Sequence, residues 1–92
     1  SDDSTIVDLA GAYLAPGFVD LHVHGGDGAD FMDLTAAAFR TVCRAHARHG
    51  TTAICPTSCV APHDECVQFL RLCQQFLGES TGGARVIGGH FY

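Results

Sequence analysis

The sequence predicts an α/β fold of parallel strands joined by helices, specifically the first two and a half βα units of a (β/α)8 barrel. Two observations predict it. Strand-like and helix-like stretches alternate in the order strand, helix, strand, helix, strand, the rhythm of parallel strands connected by right-handed crossovers. The first strand then separates a barrel from an open doubly wound sheet. One of its faces carries Asp20, His22 and His24, whereas a central strand of an open sheet has two apolar faces. In a barrel the interior near the carboxyl ends of the strands opens into the active site, where polar residues belong.

Residues 5–14 are expected to form a short extended stretch, punctuated by turns at Gly11-Ala12 and Ala15-Pro16-Gly17. Residues 18–24 alternate cleanly. Phe18, Asp20, His22 and His24 point one way, and Val19, Leu21 and Val23 the other. Gly25-Gly26-Asp27-Gly28 ends this strand in a loop that needs unusual backbone angles or a close approach. A helix is predicted over 35–49, with Thr35 as its N-cap and Gly50 placed to stop it. Phe39, Val42, Cys43 and His46 share one face of it. Residues 51–56, rich in β-branched side chains, read as the second strand. A second helix is predicted from 62 or 63 to 77, with Pro62 in its first turn and Gly78 closing it. Its apolar stripe is Cys66, Phe69, Leu70, Cys73, Phe76 and Leu77. Residues 84–92 read as the third strand.

Composition narrows the function classes. Apolar residues make up 47% of the chain, which suits a folded protein rather than a disordered one. The net charge is −5, and the basic residues are five Arg with no Lys. No basic stripe exists to neutralise phosphates, which argues against nucleic-acid binding. No apolar run is long enough to span a bilayer. The five Cys are odd in number and match no disulfide framework or zinc ribbon. Cys66 and Cys73 read as small core residues. Cys55 and Cys59 read as buried reduced thiols rather than a metal pair, since a lone Cys-x-x-x-Cys is a weak signal. Free thiols point to a reducing compartment, the cytoplasm. A full barrel takes about 250 residues, and the chain stops at Phe91-Tyr92 inside an apolar run. It is therefore expected to be a piece of a longer protein, inactive alone.

The chemistry resides in Asp20-x-His22-x-His24. Residues i and i+2 of a strand share a face and stand about 7 Å apart along it. Two imidazoles so placed can converge on one ion at the strand end. Neutral imidazole nitrogen suits zinc, iron, cobalt or nickel. Asp20, one pleat deeper, is expected to orient a His through its second nitrogen or to hold a neighbouring strand. Gly25 and Gly26 are expected to leave room for substrate. A bare His-x-His is a weak motif; the half-polar strand end entering a Gly-rich loop strengthens it. The other histidines have plainer readings. His46 and His49 lie near a helix C-terminus, where imidazole suits the dipole and caps carbonyls. His63 reads as a solvated residue at a helix start. His90, near the end of the third strand, either faces the site or packs.

These residues also carry a family resemblance. The run Leu14-Ala15-Pro16-Gly17-Phe18-Val19-Asp20-Leu21-His22-Val23-His24-Gly25 resembles the opening of the amidohydrolase superfamily. There, such a segment leaves a small β-sandwich domain and enters barrel strand one. The resemblance thus makes residues 1–15 the end of that small β domain or a linker, and 16–92 the truncated N-terminal part of the barrel. Three further stretches narrow it: the loop of residues 25–33, the run of residues 49–57 and the strand Val86-Ile87-Gly88-Gly89-His90. Together they look like N-acetylglucosamine-6-phosphate deacetylases.

That resemblance implies hydrolysis of the acetamide of N-acetylglucosamine 6-phosphate to glucosamine 6-phosphate and acetate. It implies a divalent ion, zinc or iron, with His22 and His24 matching the strand-one ligand pair, and a homodimeric parent protein. Its acid–base Asp belongs to a late strand beyond Tyr92, so no catalytic residue is expected among these 92. Asp20, Gly25, His90 and Tyr92 are expected to line or support the site. One departure stands out. After the strand-three His the family usually reads x-Glu-Gly-Pro, with the Glu on metal; here Tyr92 takes that place. A neutral phenol is a poor substitute for a carboxylate. An amidohydrolase acting on a cyclic amide or a different N-acyl sugar, or a non-catalytic barrel homologue, fits the same residues.

Overall fold

The computed structural model describes residues 4–92. The first three residues of the predicted 1–15 segment lie outside the described residues. Three strands form one sheet: β1 (Phe18–Val23), β4 (Thr51–Pro56) and β5 (Arg85–Val86), in the order β1-β4-β5. Both pairings are parallel. Helix α1 (Ala36–Ala47) connects β1 to β4, and helix α2 (His63–Gly78) connects β4 to β5. The predicted alternation of parallel strands and helices is thus present. No helix among the described residues is long and apolar enough to cross a membrane.

The helices form where apolar spacing and caps agree. Thr35 caps α1, its hydroxyl accepting the Ala38 N–H at 3.1 Å. The helix ends at Ala47, and the turn residues Arg48 and His49 lead to Gly50 at φ +97°, a left-handed conformation open to glycine. In α2, Pro62 is the N-cap rather than a first-turn residue, its carbonyl accepting from Cys66 N–H at 3.1 Å. Gly78 is the last helical residue, and the chain leaves through extended Glu79. The buried stripe of α2 is narrower than predicted. Phe69, Cys73 and Phe76 are buried, while Leu70 and Leu77 stay partly in solvent at its margins.

The core is an aromatic cluster between the helices and the turn after β1. Phe39 meets Phe31 edge-on at 4.7 Å, stacks on Phe76 at 5.4 Å and approaches Phe69 at 6.3 Å. Val42 and Cys43 of α1 join the cluster, and Ile54 and Val86 close it from the sheet side. On β1 only Val23 joins the core; Val19 and Leu21 are exposed because no described helix covers them.

Several expectations differ from the structure. No turn forms at Ala15-Pro16-Gly17; the chain runs straight into β1 there. A Cβ on Gly17 would collide with the Thr52 side chain, so this glycine serves a close approach to β4. The stretch before it pairs with no strand among the described residues and is reversed by a tight turn. Ala10 and Gly11 both have positive φ there, and Ala12 N–H donates to Leu9 O at 2.9 Å.

The loop at residues 25–28 is a miniature hairpin, β2 (Gly25–Gly26) with β3 (Ala29–Asp30), turned by Asp27 and Gly28 at positive φ. The third strand is short. Its ladder stops at Val86, and only the isolated bridge of His90 to Thr57 resumes it. Gly88 and Gly89 lie in between, and Gly89 passes so close to Cys73 that a Cβ would sit 3.2 Å from its sulfur.

The buried thiols respond to this packing. Burial pushes the Cys43 thiol from 9.0 up to about 11, against an opposing hydrogen bond from Thr81. Burial, with Cys55 adding repulsion, pushes Cys73 up to about 12. Between pH 9.0 and these values the unfolded chain releases protons that the folded chain keeps. Stability is therefore unaffected by these groups below pH 9.0 and falls as pH rises toward about 11 to 12. Urea-unfolding midpoints across this range are expected to show that fall, shallower in a Cys43→Ala/Cys73→Ala variant. Phe39→Ala should lower unfolding free energy by about 3–5 kcal/mol in the same assay, the cost of an unfilled aromatic cavity.

Candidate metal centre

The carboxyl ends of β1 and β4 and the approach to Tyr92 meet at one rim. Here β1 departs from regular pairing. Asp20 is opposite Ile54 and Val23 opposite Pro56, so β1 spends one extra residue over this interval. Such a bulge re-aims the side chains beside it. Asp20 Oδ1 accepts the His22 backbone N–H at 3.1 Å. Asp20 therefore shapes the backbone under His22, and neither binds an imidazole ring nor bridges to another strand in this structure.

The turn after β1 is held carbonyl by carbonyl. Val23 O accepts from Thr57 N–H at 2.9 Å, His24 O from Phe31 N–H at 2.9 Å, and Gly25 O from the His46 ring Nε2–H at 3.0 Å. His46 thus bonds across to the turn that carries His24, 21 residues away in sequence, rather than capping its own helix. A Cβ on Gly25 would run into the Ala29 carbonyl, so the hairpin itself requires this glycine. Asp30 caps the short 3-10 helix Phe31–Asp33, which seats Phe31 in the core.

On this support the two predicted ligands converge. His22 Nε2 and His24 Nε2 are 3.2 Å apart, with their rings edge-on at 5.1 Å between centroids. Two nitrogens that share an ion at about 2.0–2.1 Å in tetrahedral or octahedral coordination stand about 2.8–3.4 Å apart. The pair therefore fits as two ligands of one first-row divalent cation, and neutral imidazole is the right donor for it. Among the described residues no group of three or more His, Cys, Asp and Glu side chains is placed to hold a metal. These two histidines would be a partial donor set.

His90 and Tyr92 reach the same rim. The His90 ring meets the His22 ring at 4.9 Å, nearly perpendicular. Its Nδ1 lies 3.3 Å from the Thr57 hydroxyl. The Tyr92 ring lies 4.9 Å from His22 and 5.5 Å from His24, making an aromatic wall beside both. Thus His22, His24, His90 and Tyr92 come together, while Asp20 and Gly25 act through the backbone. A cleft of about 320 Å³ opens at the other end of β5, lined by Phe76, Glu79, Thr81 and Arg85, and holds none of these residues.

Sequence reasoning missed three contributors. Thr57 is fully buried, and its hydroxyl accepts the Val23 N–H at 3.0 Å. Ser58, also buried, pairs its N–H with His90 O at 2.9 Å and its hydroxyl with Tyr92 N–H at 3.2 Å. Cys59 is exposed rather than packed, with its sulfur 3.4 Å from His24 Nδ1. The first two carried a readable signal: two hydroxyl residues directly after an apolar strand that ends at Pro56.

Comparison with known proteins gives the family. A profile described as the amidohydrolase family matches residues 13–91, most of the chain. The chain belongs to the amidohydrolase family. Within it, the chain is 35% identical over 88 residues to the N-acetylglucosamine-6-phosphate deacetylase of Mus musculus, covering 90% of this chain and 21% of that protein. It is 34% identical over 77 residues to the Vibrio furnissii protein of the same name, covering 84% and 19%. It is also 32% identical over 91 residues to a dihydroorotase of Staphylococcus epidermidis, covering 95% and 20%. The chain thus spans about a fifth of the length of these amidohydrolase relatives.

The rim depends on the Thr57 hydroxyl. Thr57→Val keeps the shape but leaves the buried Val23 N–H without that acceptor, which costs about 1–3 kcal/mol. Urea unfolding should show this loss, with Thr57→Ser recovering most of it.

Proposed function

We propose that the protein is a metal-dependent hydrolase that removes the acetyl group of N-acetylglucosamine 6-phosphate, giving glucosamine 6-phosphate and acetate. The observation that carries this reading is the convergence of His22 and His24 Nε2 to 3.2 Å at the carboxyl end of a parallel strand. The 35% identity to deacetylases over 90% of the chain supports the substrate. In this reading β1, β4 and β5 are the first three strands of a (β/α)8 barrel, and residues 1–15 are the exit from a small β domain. Parallel order and family membership support it.

His22 and His24 would hold a divalent cation, zinc or iron. When bound, such an ion supplies polarisation of the amide carbonyl and activation of water near neutral pH. The chain's own residues prepare that chemistry. Both imidazoles must be neutral and present unprotonated Nε2 lone pairs, since a protonated nitrogen has none to give. The Asp20 and Thr57 contacts hold the strand end that carries them, and His46 pins the turn beyond. The Tyr92 ring walls one side and leaves less room for water. The acid–base carboxylate is assigned to a later strand beyond Tyr92. The protein is read as a cytoplasmic homodimer acting on an amino-sugar phosphate; five free thiols support the reducing compartment.

A second reading is an amidohydrolase of another cyclic amide or N-acyl sugar. The 32% identity to a dihydroorotase over 95% of the chain favours it, as does Tyr92 where a Glu is expected.

The test is acetate release from N-acetylglucosamine 6-phosphate by the full-length protein loaded with zinc or iron. Metal-dependent release is expected, falling by more than about 100-fold in His22→Ala/His24→Ala together with loss of bound metal. Turnover of a cyclic amide without acetate release would select the second reading. A folded, metal-loaded protein inert toward both would contradict the proposal.

A further inference from the structure

We propose that Cys59 is a positioning residue for His24, its sulfur accepting the Nδ1 proton and so keeping Nε2 free to bind a cation. The inference rests on the reading of His22 and His24 as metal ligands.

His24 Nε2 faces His22 Nε2 at 3.2 Å. A ring nitrogen that gives its lone pair to a cation carries no proton, so a neutral His24 must carry its proton on Nδ1. Nδ1–H then needs an acceptor. Ligating imidazoles usually give this second N–H to a carboxylate, a backbone carbonyl or water, and that bond sets both tautomer and ring angle. Here the group at Nδ1 is the Cys59 sulfur, at 3.4 Å. It meets the ring nitrogen that does not face the partner imidazole. Cys59 therefore serves as support for a ligand, consistent with the absence of any three-residue metal set among the described residues.

The placement follows from the same anchor as the rest of the rim. Thr57 is bonded to β1 through its backbone and its hydroxyl, and Ser58 is bonded to the segment carrying His90 and Tyr92. Two residues past Thr57, Cys59 is delivered beside His24 on an otherwise exposed loop. Tyr92 flanks the same imidazole at 5.5 Å, edge to face. The ring thus has a neighbour at its edge and a hydrogen-bond partner at Nδ1. A thiol is a weak acceptor, so the effect should be graded rather than absolute.

The experiment compares zinc affinity, by competition with a chromophoric chelator, in the full-length protein and in Cys59→Val, Cys59→Ser and His22→Ala/His24→Ala. Because Cys59 is exposed, both of its variants should fold. Cys59→Val removes the acceptor and is expected to weaken zinc binding about tenfold or more. Cys59→Ser keeps an acceptor and should stay close to the parent. Ring-nitrogen NMR of the zinc-loaded protein should show a slowly exchanging Nδ1–H on His24 in the parent and in Cys59→Ser but not in Cys59→Val. If Cys59→Val binds zinc as the parent does while the double His variant does not, this inference falls and the metal centre stands. Equal weakening in Cys59→Val and Cys59→Ser would also overturn the acceptor role. Retention of zinc by the double His variant would overturn the metal-centre reading itself.

Discussion

Thr57 lies where three segments of chain meet, and the bonds around it hold the candidate site in register. Its backbone N–H goes to Val23 O, and its hydroxyl takes the Val23 N–H and lies beside the Cys55 carbonyl and His90 Nδ1. Parallel strands have no short turn to align them, so their ends must be tied by contacts of this kind. Remove that tie and the rim loses its geometry, because His22 and His24 flank Val23 directly and Cys59 follows Thr57 by two positions. The cost of burying a hydroxyl is offset only because its neighbours need it.

Around that anchor, the structure assigns separate tasks to backbone and side chains. The carbonyls of Val23, His24 and Gly25 each have a donor, so the turn that aims the imidazoles has little freedom left. One of those donors, the half-buried His46, comes from a helix whose buried face packs into the core. Packing of Phe39 against Phe31 and Phe76 is thereby linked to the aim of His24. A metal site needs ligands held within fractions of an ångström, and at the proposed site these two layers of support would supply it. Tyr92 then makes the remaining side aromatic.

Much of this was legible in the sequence where one physical signal dominated. Residues 51–56 read as a strand from their β-branched run, and the structure has β4 there. Thr35 read as a cap and is one. The alternation of Asp20, His22 and His24 marks the candidate strand, although alternation alone does not show the bulge that turns Asp20 onto the backbone of His22. The hairpin at residues 25–30 was missed although Asp27-Gly28 is a strong signal for a two-residue turn; strands of two residues have no periodicity to detect. The third strand was read too long because apolar content survives across Gly88-Gly89 while the ladder does not. The contacts of His46 with Gly25 and of Cys59 with His24 join residues 21 and 35 positions apart, beyond any local pattern.

The proposed function requires that His22 and His24 share one cation. Anomalous diffraction at the zinc edge, from crystals of the zinc-loaded full-length protein, tests this directly. The predicted result is a single anomalous peak about 2.0–2.1 Å from the Nε2 atoms of both His22 and His24. A zinc peak elsewhere, with the two rings still in contact and no ion between them, would contradict it.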